Sequence, residues 1–238
     1  MNNANAVWVY LSTTPLLHLT LTLAAFALGS SIYERLGRNP LANPVLIAVA
    51  ILVAILTFTN TSYTDYFEGA QFVHFLLGPA TVCLALPLYR QFEKVRGSAL
   101  AIFASIITGS LTASASAVGI AWAFGAGRET ILSIAPKSVT APVAMGIAEQ
   151  LGGLPSLTAA MVIVTGIIGA TLGPIILNVI GIKDWAARGL AMGTASHGIG
   201  TARALQVNEV AGAFSGLAMG LNALATALLL PLLAALFF

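Results

Sequence analysis

A short segment of this chain places a positive charge and two hydroxyl groups between two prolines, within an apolar stretch. Residues 136–142 read Pro-Lys-Ser-Val-Thr-Ala-Pro, and Lys137 is the only charged residue between Glu129 and Glu149. Proline lacks a backbone N–H and interrupts helices, which leaves nearby backbone groups without their usual partners. A cation beside hydroxyls and exposed amides could bind a small carboxylate. The alternative is that the lysine lies near the end of the segment, where its ammonium group reaches water.

A second segment, residues 193–203, combines a histidine with many small and hydroxyl residues. It reads Gly-Thr-Ala-Ser-His-Gly-Ile-Gly-Thr-Ala-Arg. His197 could carry a proton near neutral pH, and Arg203 could bind a carboxylate through two hydrogen bonds. Gly198 and Gly200 would allow the backbone to bend or to approach a ligand closely. The alternatives are a structural histidine that bonds a neighbouring carbonyl, and an arginine that only anchors the segment at a surface.

A third segment, residues 76–82, contains Pro79 followed closely by Thr81. Pro79 would free a carbonyl about one turn earlier, and the threonine hydroxyl could donate to a carbonyl freed in this way. An ordinary proline kink in a helix is the alternative. Two amides in otherwise apolar stretches, Asn178 and Asn222, are expected to form hydrogen bonds between helices.

The composition assigns these segments to a membrane protein. Of 238 residues, 58% are hydrophobic and 8% are charged, and the mean hydropathy is +0.94, whereas soluble domains carry about 25% charged residues. Several charge-free stretches can hold the roughly 20 apolar residues that a spanning helix needs. We predict an all-α, polytopic transmembrane protein with a single domain over residues 1–238. Its predicted spanning helices lie near residues 15–33, 41–59, 98–124, 156–180 and 210–236.

Three further segments are shorter or interrupted, which brings the predicted total to about eight membrane segments, including broken or re-entrant helices. They are residues 71–89, 131–149 and 189–204. The last of the three could either span the membrane or re-enter it.

The chain also contains a possible internal repeat at an offset of 57 residues. It aligns residues 79–82 with 136–139, and residues 106–109 with 163–166. Many transporters are built from such duplicated units of broken helix and span. A chance match is the alternative.

Several classes of function are disfavoured by the composition and motifs. The net charge of +2 is small and no basic cluster points to nucleic acid. Cys83 is the single cysteine and the three histidines are far apart, so neither a disulfide framework nor a metal site is expected. Motifs of metalloproteases, serine hydrolases and nucleotide-binding loops do not occur. We therefore expect no enzyme and no cofactor, although a coupling proton or sodium ion is possible.

Four runs of sequence resemble the LrgB/CidB family, and the resemblance extends over residues 10–238. The second and fourth runs together are quite specific, and Ala141 stands where the family pattern Ser-Val-Thr-Thr-Pro predicts a second threonine. The runs are Leu77 to Tyr89, Pro136 to Met145, Thr165 to Ala170 and Ala195 to Ala202.

The resemblance implies two kinds of function. Plant proteins with this domain act as plastid glycolate/glycerate translocators, and some bacterial members are linked to pyruvate uptake. Other bacterial members are described as holin-like or antiholin-like regulators of murein hydrolase export and cell lysis. That second role is assigned together with a small membrane protein of the LrgA/CidA type, which would be a partner here.

Together the residues and the resemblance predict a multi-pass carrier for small monocarboxylates in a bacterial inner (plasma) membrane. Lys137 would pair with the carboxylate, and His197 or Arg203 would serve as a coupling or anion contact. A holin-like pore or regulator is the alternative, and a homodimer is expected because symmetric assemblies dominate. The predicted substrate-binding residues are Lys137, Ser138, Thr140, Thr81, Ser196, His197 and Thr201. The predicted helix breaks or hinges are Pro79, Pro136, Pro142, Gly198 and Gly200.

Overall fold

The protein is entirely helical in the part of the chain that its computed structural model describes. That part comprises residues 15–37, 39, 42–76, 79, 82–83 and 85–237, and it contains no strand. The prediction of an all-α membrane protein is confirmed. The chain forms two compact units, residues 1–83 and residues 84–238. The prediction of a single domain over the whole chain is not tested by this division and stays a prediction.

The first unit contains three described helices. They are α1 (Pro15–Arg35), α2 (Pro44–Thr59) and α3 (Tyr63–Phe75). Asn43 caps α2 by accepting a 2.8 Å hydrogen bond from the backbone N–H of Val45. His18 of α1 packs edge-on against the ring of Tyr66 in α3, with the ring centres 5.7 Å apart. The Tyr66 hydroxyl also lies 2.9 Å from the hydroxyl of Thr22, so a polar and aromatic contact joins α1 to α3.

The second unit contains eight helices among its described residues. They are α4 (Ala85–Arg90), α5 (Phe92–Gly97), α6 (Ala99–Ala123), α7 (Arg128–Ile134), α8 (Ala141–Leu151), α9 (Pro155–Val179), α10 (Trp185–Val207) and α11 (Glu209–Phe237).

Four helices in the described part of the chain are long and apolar enough to cross a membrane. Both α6 and α9 have 25 residues, which corresponds to about 38 Å at 1.5 Å per residue and exceeds the roughly 30 Å hydrocarbon core. The others are residues 16–35 of α1 and residues 209–236 of α11. The apolar helix α2 is shorter. The predicted total of about eight membrane segments is therefore not established.

Residues 128–151, which we call hairpin 1, enter the second unit and return to the same end of α9. The hydroxyl oxygen of Ser133 accepts a 2.7 Å hydrogen bond from the N–H of Leu154, and the hydroxyl of Thr158 donates to the Ser133 carbonyl at 2.9 Å. The end of α7 thus lies beside the start of α9, where α8 has just ended. Helices of 7 and 11 residues are too short to span a bilayer.

Residues 185–207, which we call hairpin 2, also fold back on themselves. His197 has φ 41° and ψ −133° within α10, which breaks the helix in two. A Cβ atom on Gly200 would lie 2.6 Å from the carbonyl oxygen of Met192, although eight residues of continuous helix would separate the two positions by about 12 Å. From the sequence, residues 189–204 could either span the membrane or re-enter it; in the structure they fold back at His197.

The two hairpins enter from opposite ends of α9. Hairpin 1 is fixed at the start of α9, whereas Arg188 of hairpin 2 donates a 2.7 Å hydrogen bond to the carbonyl of Ile182, just after α9 ends. Each hairpin is followed by a long helix, α9 or α11. The second unit therefore contains two hairpin-plus-span units in opposite orientation, as in transporters with inverted repeats.

The repeat predicted from the sequence is a different one. It pairs residues 79–82 with hairpin 1, and residues 80 and 81 lie outside the described part of the chain. That repeat stays a prediction.

Hairpin 2 packs closely on α11 because small residues line the contact. A Cβ atom on Gly193 would overlap the carbonyl oxygen of Ser215 and would lie 2.8 Å from the Cβ of Ala218. Small residues allow membrane helices to approach at backbone distance. The glycine is therefore required by space and not by its backbone angles.

We predict that Gly193→Ala destabilises the protein by about 1–3 kcal/mol, because the added methyl group forces hairpin 2 away from α11. The matched control is Gly220→Ala in α11, where a Cβ would meet nothing within 4 Å. The thermal unfolding midpoint of the detergent-solubilised protein is the measurement. Equal midpoints for the two variants would contradict the close packing described here.

Candidate functional site

The tips of the two hairpins meet at the side chain of Asn222, near the middle of α11. Its amide nitrogen donates one 3.1 Å hydrogen bond to the carbonyl of Ser138 in hairpin 1 and another to the carbonyl of Thr194 in hairpin 2. Asn222 is only 1% exposed. Backbone carbonyls at membrane depth need a protein partner because lipid offers none. A single side chain supplies that partner for both tips.

The tip of hairpin 1 carries the cation that the sequence singled out. The ammonium of Lys137 donates a 3.3 Å hydrogen bond to the hydroxyl oxygen of Ser138, and Lys137 is half-buried while Ser138 is buried. Lys137 forms no salt bridge with any residue that the structure describes. Pro136 lies inside the break, and Pro142 occupies the first turn of α8. A half-buried cation without a carboxylate favours an anion as its partner.

Thr140 occupies the N-cap position of α8, directly after this tip. Its carbonyl accepts a 2.9 Å hydrogen bond from the N–H of Ala144, but its side chain makes no capping bond. Next to it, Val139 is buried and packs against Val162 of α9. These contacts fix the tip of hairpin 1 against α9.

His197 forms the tip of hairpin 2 and is buried there. Its Nε2 lies 2.9 Å from the carbonyl oxygen of Val162. Because a carbonyl only accepts, Nε2 must carry the hydrogen and Nδ1 is left to take up a proton. Thr201 donates a 2.9 Å hydrogen bond to the His197 carbonyl, and Ser215 then donates to the Thr201 hydroxyl at 2.9 Å. The histidine therefore has a structural contact and still offers one ring nitrogen.

The structure brings the lysine and histidine motifs into one site. The carbonyl of Ser138, next to Lys137, and that of Thr194, three residues before His197, accept from the same Asn222 amide. Two further buried oxygens, Ser196 Oγ and Asn222 Oδ1, have no hydrogen-bond partner among the described residues. A buried oxygen without a donor costs roughly 1–3 kcal/mol. The junction of the tips therefore combines a cation, an imidazole and two oxygens that can accept hydrogen bonds.

One predicted residue, Arg203, lies elsewhere in the second unit. Thr81 lies outside the described residues, and Pro79 is exposed and belongs to the first unit. Arg203 lines a small pocket together with Trp185 and Arg188, at the open end of hairpin 2. Arg203 is therefore not one of the groups that surround Lys137.

A groove of about 550 Å³ runs along hairpin 2 to the junction. It lies between α6 and the first half of α10. At one end it is lined by Ala187, near the open end of hairpin 2, and at the other by Thr194, whose carbonyl Asn222 holds. The hydroxyl residues on its α6 side are Ser105, Thr108 and Thr112.

Similarity to known proteins identifies the family of this chain. The LrgB-like family matches residues 22–236. The chain belongs to the LrgB-like family. It is 36% identical over 222 residues to the holin-like protein CidB of Staphylococcus epidermidis, which covers 93% of this chain and 96% of the relative. It is 34% identical over 223 residues to the holin-like protein CidB of Staphylococcus aureus, with 94% and 97% covered.

A third relative comes from another genus. The uncharacterized protein YxaC of Bacillus subtilis is 37% identical over 219 residues, which is 92% of this chain and 95% of YxaC. No solved structure matches the chain. The family and the apolar helices identify a multi-pass bacterial membrane protein.

We predict that Thr201→Val destabilises the protein by about 1–3 kcal/mol, because it removes the donor to the His197 carbonyl and leaves the buried Ser215 hydroxyl without its acceptor. Adding Ser215→Ala should recover part of the loss, since the two residues share one interaction. Thr108→Val is the control, because that exposed hydroxyl bonds carbonyls of its own helix. Unfolding in detergent measures all the variants; equal effects at 201 and 108 would contradict the assignment.

Proposed function

We propose that this protein acts as a holin-like protein of the bacterial membrane and forms or controls a passage for solutes. The strongest support is the name of its staphylococcal relatives, which are similar to it over more than nine-tenths of the chain. In this proposal the protein acts in murein hydrolase export and cell lysis. It works with a small LrgA/CidA-type partner and forms a homodimer.

The observation that carries the proposal is the pair of opposed re-entrant hairpins. In this proposal neither hairpin crosses the membrane, and the barrier between the two sides is the junction of their tips at Asn222. If the tips separate, water that enters between them can replace the Asn222 amide at both carbonyls. Irregular backbone at membrane depth is tolerated where it lines a cavity, which suits a passage that opens at this point.

A second candidate function is a carrier for small monocarboxylates of the glycolate, glycerate or pyruvate type. Lys137 favours it, because a half-buried ammonium without a carboxylate suits an anionic solute. In this proposal Lys137 pairs with the carboxylate, and Ser138 and Thr140 supply hydrogen bonds from the same tip. Ser196, His197 and Thr201 form the facing side, and the groove beside α6 gives access.

The two candidates differ in the kinetics of solute flux. A carrier has a finite number of sites, so its uptake saturates and related solutes compete. A holin-like passage releases unrelated solutes up to a size limit, without saturation. Purified protein in liposomes, loaded with a small dye and supplied with labelled glycolate or pyruvate, distinguishes them.

In the carrier, Lys137→Ala should reduce saturable uptake roughly 10- to 100-fold, as expected for the loss of a hydrogen bond to a charged group. Lys183→Ala is the matched control, because Lys183 is exposed in the loop between α9 and α10. In the holin-like protein, both variants should release dye as the wild type does. If wild-type liposomes show neither saturable uptake nor size-limited release, both proposed functions are wrong.

If His197 carries a coupled proton in the carrier, its Nδ1 is the atom that takes it up. His197→Gln retains an amide that can donate to the Val162 carbonyl but cannot titrate. We expect this variant to lose the pH dependence of uptake between about pH 5 and 8, the range in which histidines change charge. Uptake measured across this range tests the role, and a pH profile like that of the wild type would exclude it.

A further inference from the structure

Asn222 and Val162 each contact both hairpins. The Val162 side chain packs against Val139 of hairpin 1, while its carbonyl accepts from His197 of hairpin 2. The contact of Val162 with hairpin 1 is apolar and has little directionality. Asn222 instead makes a directional hydrogen bond to each tip. The amide is thus a side chain that bonds both tips directionally.

The chemistry of the asparagine fits this arrangement. A side-chain amide has two N–H groups and one carbonyl, and here both N–H groups are used on the carbonyls of Ser138 and Thr194. The amide carbonyl, Oδ1, is buried and has no partner among the described residues. If position 222 served only to pack helices together, an apolar side chain of the same size would suffice. Such a side chain would not leave a buried oxygen without a hydrogen bond, as asparagine does.

We infer that Asn222 is the positioning residue of the junction: its two hydrogen bonds hold the opposed tips together and keep the passage closed. Without the amide, two carbonyls at membrane depth lose their donor, and separation of the tips lets water reach them. This role rests on the proposed function and deepens it, because it names the contact that maintains the barrier.

The experiment places a reporter at the tip and measures its contact with water. Val139 is 1% exposed, so Val139→Cys puts a thiol at the closed junction, in a chain whose lone Cys83 is replaced by serine. A water-soluble maleimide labels this thiol only when the tips part. Asn222→Leu removes both hydrogen bonds and keeps the volume, and Asn222→Ala is the second variant. Loss of two hydrogen bonds should speed labelling roughly 5- to 150-fold.

Thr226→Val is the matched control on the same helix, one turn further on. It removes the buried 2.8 Å hydrogen bond between Thr226 and Ser110, which joins α11 to α6 and leaves the tips untouched. Faster labelling in both Asn222 variants and wild-type labelling in Thr226→Val is the expected result. The inference would be overturned if labelling were accelerated equally in Thr226→Val, or if it were not accelerated in the Asn222 variants. Failure of both Asn222 variants to fold would also overturn it.

The labelling assay is independent of flux. A wild-type protein that moves neither carboxylates nor dye would remove the proposed function, yet the thiol introduced at position 139 would still report whether the tips separate. A parallel dye-release measurement adds the consequence for permeability: leakage from Asn222→Leu liposomes should exceed that from Thr226→Val liposomes.

Discussion

Helices that end inside a bilayer impose the constraint on which the second unit depends. The carbonyl and amide groups at such ends cannot be satisfied by lipid, so the protein must provide their partners. Hairpins 1 and 2 both end near the middle of α11, and two neighbouring side chains supply partners: Asn222 donates to a carbonyl of each tip, and Thr201 donates to the His197 carbonyl. The backbone carbonyl of Val162 accepts from the His197 imidazole. Asn222, Thr201 and His197 thus each have a structural task in addition to any chemical one.

The sequence predicts the positions of the two tips but not that the tips lie next to each other. Proline spacing around Lys137 and the run of glycine and hydroxyl residues around His197 are local signals, and local signals predict interruptions of helices well. Whether an interrupted segment spans or re-enters depends on contacts far along the chain, such as Ser133 with Leu154. No composition rule contains that information, so the sequence predicts only an interrupted membrane segment at residues 131–149.

Asn222 illustrates the same limit. From the sequence it is equivalent to Asn178, since both are single amides in apolar helices. In the structure Asn178 is exposed and Asn222 is 1% exposed and bonded to both hairpins. Polar residues in spanning helices usually face the protein interior, but this rule does not tell which of the two asparagines is buried. The face of α9 or α11 that contacts the hairpins is determined by tertiary packing.

The inverted arrangement of the hairpins determines which charge the junction prefers. Three helix ends lie around it: the first half of α10 ends there, whereas α8 and the second half of α10 begin there. A helix start carries partial positive charge and a helix end partial negative charge, so the two starts outweigh the one end. The full charge of Lys137 has the same sign and adds to them. Because no carboxylate among the described residues neutralises it, a small anion is the solute for which this junction is electrostatically suited, whether it is carried across or passes when the tips separate.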